Sequence, residues 1–470
     1  MVLRIVKHEL IKYSRDGQAK AMSFFVIFLI IASIVLSSRD YQLTYGQYRE
    51  NIRQARLNWE NQTEKDPHDA AHDGTYVIKP VHPLALLDKG IQQFSGKVVH
   101  LGAHERKQAS LNEAKDHSGL FRFGELTPSF VLIYLIPLLM IFIGYRVITE
   151  EKERQTIRLL FSQQTTPLQL VMGKWLYLMA IVLLIWIIFF MIAGLSLMVV
   201  EREMPINLLE YISMAVINLL YFMAFTSVIV LVSARAKSSG FSLMTLLTIW
   251  IIVTLIMPKV STNLAGSFHP FPTLQTFRNN VNQDQATGLN GHNFWNEAAQ
   301  DFKQKVLDEY GVATVEDLPV AFGGLLLAEG EKYESEIYTK HFDLLQAQYE
   351  KQRVVYRWCG LISPLLPLRF VSMSLARSDY SFLWHFEDQA EKYRVDFNTV
   401  LNMNIAENAK GVEQYKAGSD LWGNVPEFQY QWQTGWDVLR DHQAELAIIL
   451  LWSVFTFILM VFLGSKIKVS

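Results

Sequence analysis

Six apolar runs decide what this chain can fold into. They lie at about 21–38, 128–147, 176–200, 209–233, 240–258 and 443–464. Each is long enough to cross a bilayer as a helix, which takes roughly 20 residues at a rise of about 1.5 Å. Most hold no charged residue, because an ionised side chain at the bilayer centre is expensive. Half of the 470 residues are hydrophobic and only 19% are charged, a balance that places part of the chain in lipid. The first run begins after 20 residues and is long for a cleaved signal, so an uncleaved anchor is expected. A net charge of −2 argues against nucleic acid as a partner. Cys359 is the single cysteine, so no intrachain disulfide can form and any polar domain must be held by packing. No internal repeat with a period of 20–50 residues is visible.

The short loops set the orientation. Arg4, Lys7, Lys12, Arg15 and Lys20 precede the first run, and Arg146, Lys152, Arg154, Arg158 and Lys174 lie between the second and third. Arg235 and Lys237 join the fourth and fifth, and Lys466 and Lys468 follow the sixth. All fall on one side, which the positive-inside rule makes cytoplasmic, with both termini there. The chain then divides into a cytoplasmic amphipathic helix (1–20), a first transmembrane helix (21–38) and an insertion outside (39–127). Helices two to five follow (128–258, with a cytoplasmic loop at 148–175), then a second insertion (259–442) and the sixth helix with its tail (443–470).

The two insertions are too long to be mere connections and should fold. Residues 39–62 continue the first span as a polar helix, Asp73-Gly74 signals a turn, and Thr75–Ile78 before Pro80 reads as a strand. Residues 292–310, 328–357 and 383–410 are charged and favour helix. The apolar stretch Trp358–Ala376 holds Pro364, Pro367 and Arg369, which suits an interfacial or re-entrant segment better than a span. The expected fold is an all-α polytopic membrane protein: six transmembrane helices with a large, mostly helical extracytoplasmic domain containing minor β.

The loop after the second run is the most informative segment. It reads Thr149-Glu150-Glu151-Lys152-Glu153-Arg154-Gln155-Thr156-Ile157-Arg158-Leu159-Leu160, then Thr166-Pro167, then Gly173-Lys174. Its charges predict a stiff helix leaving the membrane, with Leu159 and Leu160 as an apolar end. Thr166-Pro167 predicts an N-cap followed by proline in the first helical turn, where the next helix starts. Such a charged helix can serve as a lever for a soluble motor, or be an ordinary solvated face. At the N-terminus, Leu3, Val6, Leu10 and Tyr13 share one helical face, as in a helix lying in the headgroup plane.

These features together resemble the ABC-2 type transporter permeases. That family has six spans, an amphipathic N-terminal helix, and an acidic stretch after the second span of the form Glu-x-Glu-x-Gly-Thr, then leucines, then Gly-Lys. Glu151, Glu153, Thr156, Leu159, Leu160, Gly173 and Lys174 match, and Gln155 stands where the family has glycine. Ser363-Pro364 resembles the Ser-Pro element before the last span. The insertions are similar to a bacterial branch whose outer domain has no assigned function, and Pro67-His68-Asp69-Ala70-Ala71-His72-Asp73-Gly74 is like a stretch in that branch. The resemblance implies an inner-membrane permease subunit working with a separate ABC ATPase subunit, a second permease subunit and membrane lipid. It assigns ATPase coupling to Glu150, Glu151, Glu153, Arg154, Thr156, Leu159, Leu160 and Lys174, and it names no cargo. An alternative is a device that transmits motion to an envelope partner without moving cargo.

Enzymatic motifs are missing from the sequence. There is no Gly-x-x-x-x-Gly-Lys-Ser/Thr phosphate loop and no Gly-x-Ser-x-Gly nucleophile elbow. Glu150-Glu151-x-x-Arg154 is one residue short of the signature of intramembrane CAAX-type proteases, and His8-Glu9 lacks the second histidine of a zincin. No cofactor is expected. His68 and His72 are spaced for a shared metal on a helix, as are His100 and His104. Histidines in polar loops more often form structural hydrogen bonds, so the two pairs are expected to lie apart with their side chains in solvent. Polar groups in the spans are few: Asn218, Thr226, Ser227, Ser242 and Thr254. A dry pathway of this kind suits an amphipathic cargo, or none.

Overall fold

The computed structural model describes residues 1–110, 125–286, 288–289 and 291–467; Lys468 lies outside them. Helices make up 74% of the structure and strands 3%, so the all-α expectation is met. Among the described residues, six helices are long and apolar enough to cross a membrane: Gly17–Glu60, Pro128–Glu153, Pro167–Val199, Leu208–Arg235, Ser239–Phe268 and Gln443–Gly464. They are called spans one to six below. The loops rich in lysine and arginine gather at one end, the basic end. The two insertions fold together over the other end as a capping domain.

Span one runs unbroken for 44 residues, which is about 66 Å of helix against about 30 Å of hydrocarbon. Its start is set by Asp16, whose carboxylate accepts from the N–H groups of Gln18 and Ala19 at 3.0 and 3.1 Å. The polar second half continues because Tyr41, Tyr45 and Tyr48 recur at helical spacing and are buried against the capping domain.

Two prolines shape spans two and five. A π-turn, Val131–Leu135, lies just before Pro137, and a second, Ile252–Ile256, lies just before Pro258. Proline carries no N–H, so a carbonyl one turn earlier loses its donor. Hydroxyls from other elements serve these disturbed turns: Tyr221 donates to the Ile133 carbonyl at 3.2 Å and Ser363 to the Val253 carbonyl at 2.8 Å. Ser363 is the serine of the Ser-Pro element noted in the sequence.

The capping domain is built around an antiparallel hairpin of the helices Phe322–Gly360 and Tyr380–Asn408. The first insertion packs on it. Ala70 and Ala71 of the helix Pro67–Asp73, together with Trp59 of span one, bury against Phe397, Leu401 and Trp422. Strands β1 (Thr75–Ile78) and β2 (Val98–Leu101) pair antiparallel, with Thr75 opposite Leu101, and their inward face meets Phe386 and Ala390. Gly74 joins helix to strand at a φ of 66°, where a Cβ would lie 2.1 Å from the Leu101 carbonyl oxygen. Only glycine fits there.

The stretch 358–376 does not span. It turns after Gly360 and forms the helix Leu365–Leu375, whose 11 residues cover about 16 Å. Leu365, Leu368, Val371 and Leu375 are buried in the bundle core. Arg369 reaches toward Asp88 at 3.7 Å. Further ion pairs tie cap to bundle: Arg377 with Glu210 of span four at 2.8 Å, and Arg353 and Arg357 with Glu445 of span six at 3.0 and 2.9 Å.

Candidate functional site

The segment that closes span two and leads to span three is not the single stiff helix its charges predict. It forms two short helices, Thr149–Glu153 and Thr156–Ser162. They break at Gln155, which sits in the left-handed region at a φ of 60°. The left-handed conformation is unfavourable for a residue with a Cβ, which accounts for the glycine preferred at this point in the resembling family. The next boundary is as expected: Thr166 caps span three in a capping box with Gln169, and Pro167 occupies the first turn.

Several charges of the loop turn inward and are satisfied there by one another or by neighbouring backbone groups. Lys174 is 2% exposed and donates to Glu9 of the N-terminal helix at 2.9 Å and to Glu151 at 3.0 Å. The second Glu151 oxygen accepts from the Thr156 hydroxyl across the Gln155 break. Glu150 pairs with Lys12 at 2.5 Å and with Arg154 at 2.9 Å. Glu153 accepts from the backbone N–H of Ser239 at 2.6 Å and its hydroxyl at 2.8 Å, which holds the start of span five. Lys152 donates to the carbonyls of Ala234 and Ala236 at the end of span four. One loop therefore ties together the N-terminal helix and spans three, four and five.

Packing closes the unit. The N-terminal helix Val2–Arg15 lies along the start of span three, and Ile5 buries with Ile157 and Leu170, flanked by Leu160 and Phe161. A Cβ on Gly173 would come within 2.8 Å of the Ile5 side chain, so glycine allows this close approach. Leu160 belongs to that cluster, while Leu159 is 61% exposed. Arg154, Arg158 and Leu159 form the outward face of the loop.

A six-span bundle with this N-terminal helix and this loop has a match among protein families. The model of the ABC-2 family transporter proteins covers residues 3–300. The chain belongs to that family. A domain of unknown function (DUF3526) matches residues 275–431, most of the second insertion. No curated protein matches the chain.

In this ABC-2 family transporter protein the polar groups of the spans are used locally. Asn218, Thr226 and Thr254 each donate to a carbonyl four residues back in their own helix. Ser227 does the same and also accepts from the Trp175 indole at 3.1 Å. Ser242 is buried. Asn218, Thr226, Ser227 and Thr254 thus brace helices.

The histidines of the capping domain depart from expectation. The two pairs do not lie apart: His68, His72 and His104 converge and are joined by His292, with one nitrogen from each within 4.8 Å of the others. The cause is the β1–β2 pairing. It closes the loop so that Ala103 N–H reaches the Ala71 carbonyl at 2.9 Å, which sets His104 beside the helix carrying His68 and His72. His100 points elsewhere, donating from Nε2 to the Asp73 carbonyl at 2.9 Å. The second insertion supplies what the sequence pattern missed: His292, and the Glu331, Glu334 and Asn402 that hold the rings. Residues so far apart in the chain leave no local signal.

His68 is mostly buried, and burial pushes its imidazole down to about 4. Burial alone would lower His104 as well. Its hydrogen bond to Glu334 and the charges of Glu331 and Glu334 outweigh that and leave it raised. Burial, with His104 and His72 nearby, lowers His292.

Proposed function

We propose that this chain is the permease subunit of an ATP-driven exporter in the bacterial inner membrane, with the basic end and both termini in the cytoplasm and the capping domain outside. A separate ABC ATPase docks on the basic end, and two permease subunits, identical or paralogous, form the transport unit within lipid. The observation that carries this reading is the buried Lys174, which locks the N-terminal helix, the loop and span three into one unit. A push on the loop face at Arg154, Arg158 and Leu159 then moves spans rather than a flexible tether. The loop carboxylates act inside this unit: Glu150, Glu151 and Glu153 transmit force, and Thr156 stiffens the break. Leu160 anchors the base. The exposed arginines orient the partner and Leu159 packs into it.

Mechanical transmission to the cap is a second reading, favoured by the ion pairs of Glu210 and Glu445 that tie spans four and six to it. Co-purification with the ATPase tests the docking surface. The triple variant Arg154→Glu, Arg158→Glu, Leu159→Asp should lose ATPase binding at least tenfold while melting like wild type. Unchanged binding and unchanged ATPase stimulation would remove the loop face from the coupling route.

A further inference from the structure

Three imidazole nitrogens in the capping domain face one another. His104 Nε2 lies 3.3 Å from His68 Nε2 and 2.8 Å from His292 Nε2, and His68 Nε2 lies 3.4 Å from His292 Nε2. In two of these rings the opposite nitrogen is already committed. His68 Nδ1 donates to Asn402 Oδ1 at 3.0 Å, and His104 Nδ1 donates to Glu334 at 2.9 Å with a Glu331 oxygen 3.0 Å away. Those bonds leave Nε2 of both rings as the lone-pair nitrogen. A single proton can fill one edge of this triangle, but there are three edges and a fourth ring, His72, set edge-on to His68 with centroids 4.7 Å apart.

We propose that His68, His72, His104 and His292 form a binding site for a divalent transition-metal ion of the zinc class. Ligand nitrogens about 2.0–2.1 Å from a tetrahedral ion stand about 3.3–3.4 Å from one another, and two of the three edges measured here have that length. Imidazole donors select zinc and its neighbours over calcium and magnesium. The supporting residues have the arrangement that orients metal-binding histidines, with a carboxylate or amide oxygen behind the ring. They are themselves fixed: Glu331 is fully buried, accepting from Arg394 at 2.6 Å, from Asn398 at 3.2 Å and from the His104 backbone N–H at 2.8 Å. Glu331 and Glu391 pair with Arg394, and Glu334 adds a third carboxylate beside His104, so the carboxylates outnumber the guanidinium and the neighbourhood suits a cation. His104 is also held at a φ of 65°, a conformation that non-glycine residues keep where the surroundings enforce it.

Three ligands come from the first insertion and one from the second. The ion therefore cross-links the two insertions of a domain that has no disulfide. His72 and His292 are exposed, which opens a route from solvent. None of this depends on ATP coupling at the other end of the molecule.

The test is titration of the purified full chain, free of any histidine tag, with Zn2+ by calorimetry, and with Co2+ by visible absorption. Wild type should take up one Zn2+ per chain, gain thermal stability, and show the intense bands of tetrahedral Co2+. His72→Ala and His292→Ala, both at exposed positions, should each weaken binding at least tenfold while melting as the metal-free wild type does. Glu334→Gln should weaken it roughly 10–100-fold through the orientation of His104, and His100→Ala should bind as wild type. Absence of stoichiometric uptake, equal affinity in the His72→Ala and His292→Ala variants, or equal competition by Ca2+ would each overturn the proposal.

Discussion

The basic end and the histidine cluster are both polar centres, and they are assembled on opposite principles. At the basic end the inward charges meet opposite charges or backbone dipoles: Lys174 sits between two carboxylates, Lys12 meets Glu150, and Glu153 takes the N–H of a helix start. At the cluster, like meets like: ring nitrogens of His68, His104 and His292 converge, while His68 and His104 turn their other ring nitrogens outward to Asn402 and Glu334. A satisfied network stiffens a structure and transmits displacement. A network of convergent lone pairs is complete only with an electrophile. On the two proposals above, the difference assigns the two ends different work, one mechanical and one ligand-binding.

The contrast breaks first at Lys174. Lys174→Ala removes the cation shared by the poorly exposed Glu9 and Glu151. Leaving buried charge uncompensated costs about 3–5 kcal/mol, so a large drop in melting temperature in detergent is expected. A near-neutral result would show that the basic end is loosely joined.

The corresponding break in the cap is at Gly74. Gly74→Ala forces a Cβ against the Leu101 carbonyl at a positive φ, which should cost about 3 kcal/mol or more. It should separate β2, and with it His104, from the His68 helix. Zn2+ uptake should fall in that variant while ATPase co-purification stays at the wild-type level. Joint loss of both would mean the two ends are not independent.

A smaller effect is expected at Gln155. A β-branched side chain suits the left-handed conformation worse, so Gln155→Val should lower stability by about 1–2 kcal/mol. Gln155→Gly should be neutral or stabilising by up to about 1 kcal/mol. Thermal melts that rank the two variants the other way would contradict the break between the short helices.

The smallest expected effect is at Glu387. Burial raises its carboxyl above the usual range, and Ala109 N–H and Arg106 only partly offset this. The folded state thus binds the proton more tightly than the unfolded chain. Stability from this group is present at low pH and is lost as pH rises from about 4.5 through the raised folded value. Glu387→Gln keeps an oxygen for Ala109 and needs no proton, so it should melt slightly higher than wild type at pH 7. The gain should shrink toward pH 4.5. A variant less stable at pH 7 would show that the ionised form is the one the fold prefers.

How much was legible follows from the range of each signal. The six spans could be read because hydropathy is summed over consecutive residues. Thr166-Pro167, Asp73-Gly74 and Thr75–Ile78 could be read because caps, turns and short strands are written within a few positions. The helical stretches of the second insertion appeared near their expected places, at Glu297–Tyr310, Phe322–Gly360 and Tyr380–Asn408. The acidic loop was legible as a motif, but its shape was not, because helix-favouring charges run straight across Gln155 and only packing decides that the chain turns there.

By itself the sequence determined which segments are long and apolar enough to cross a membrane, where helices begin, and which residue types stand ready for ionic or metal chemistry. Tertiary structure alone decided their partners. Lys174 finds Glu9 across 165 positions, and His292 meets His104 across 188. Helix and strand formation depend on neighbours within a turn or a pleat, and those are printed in order along the chain. The meeting of distant side chains depends on how whole elements dock. Here that meant the Gly173 gap that admits Ile5, and the β1–β2 register that swings His104 onto the His68 helix.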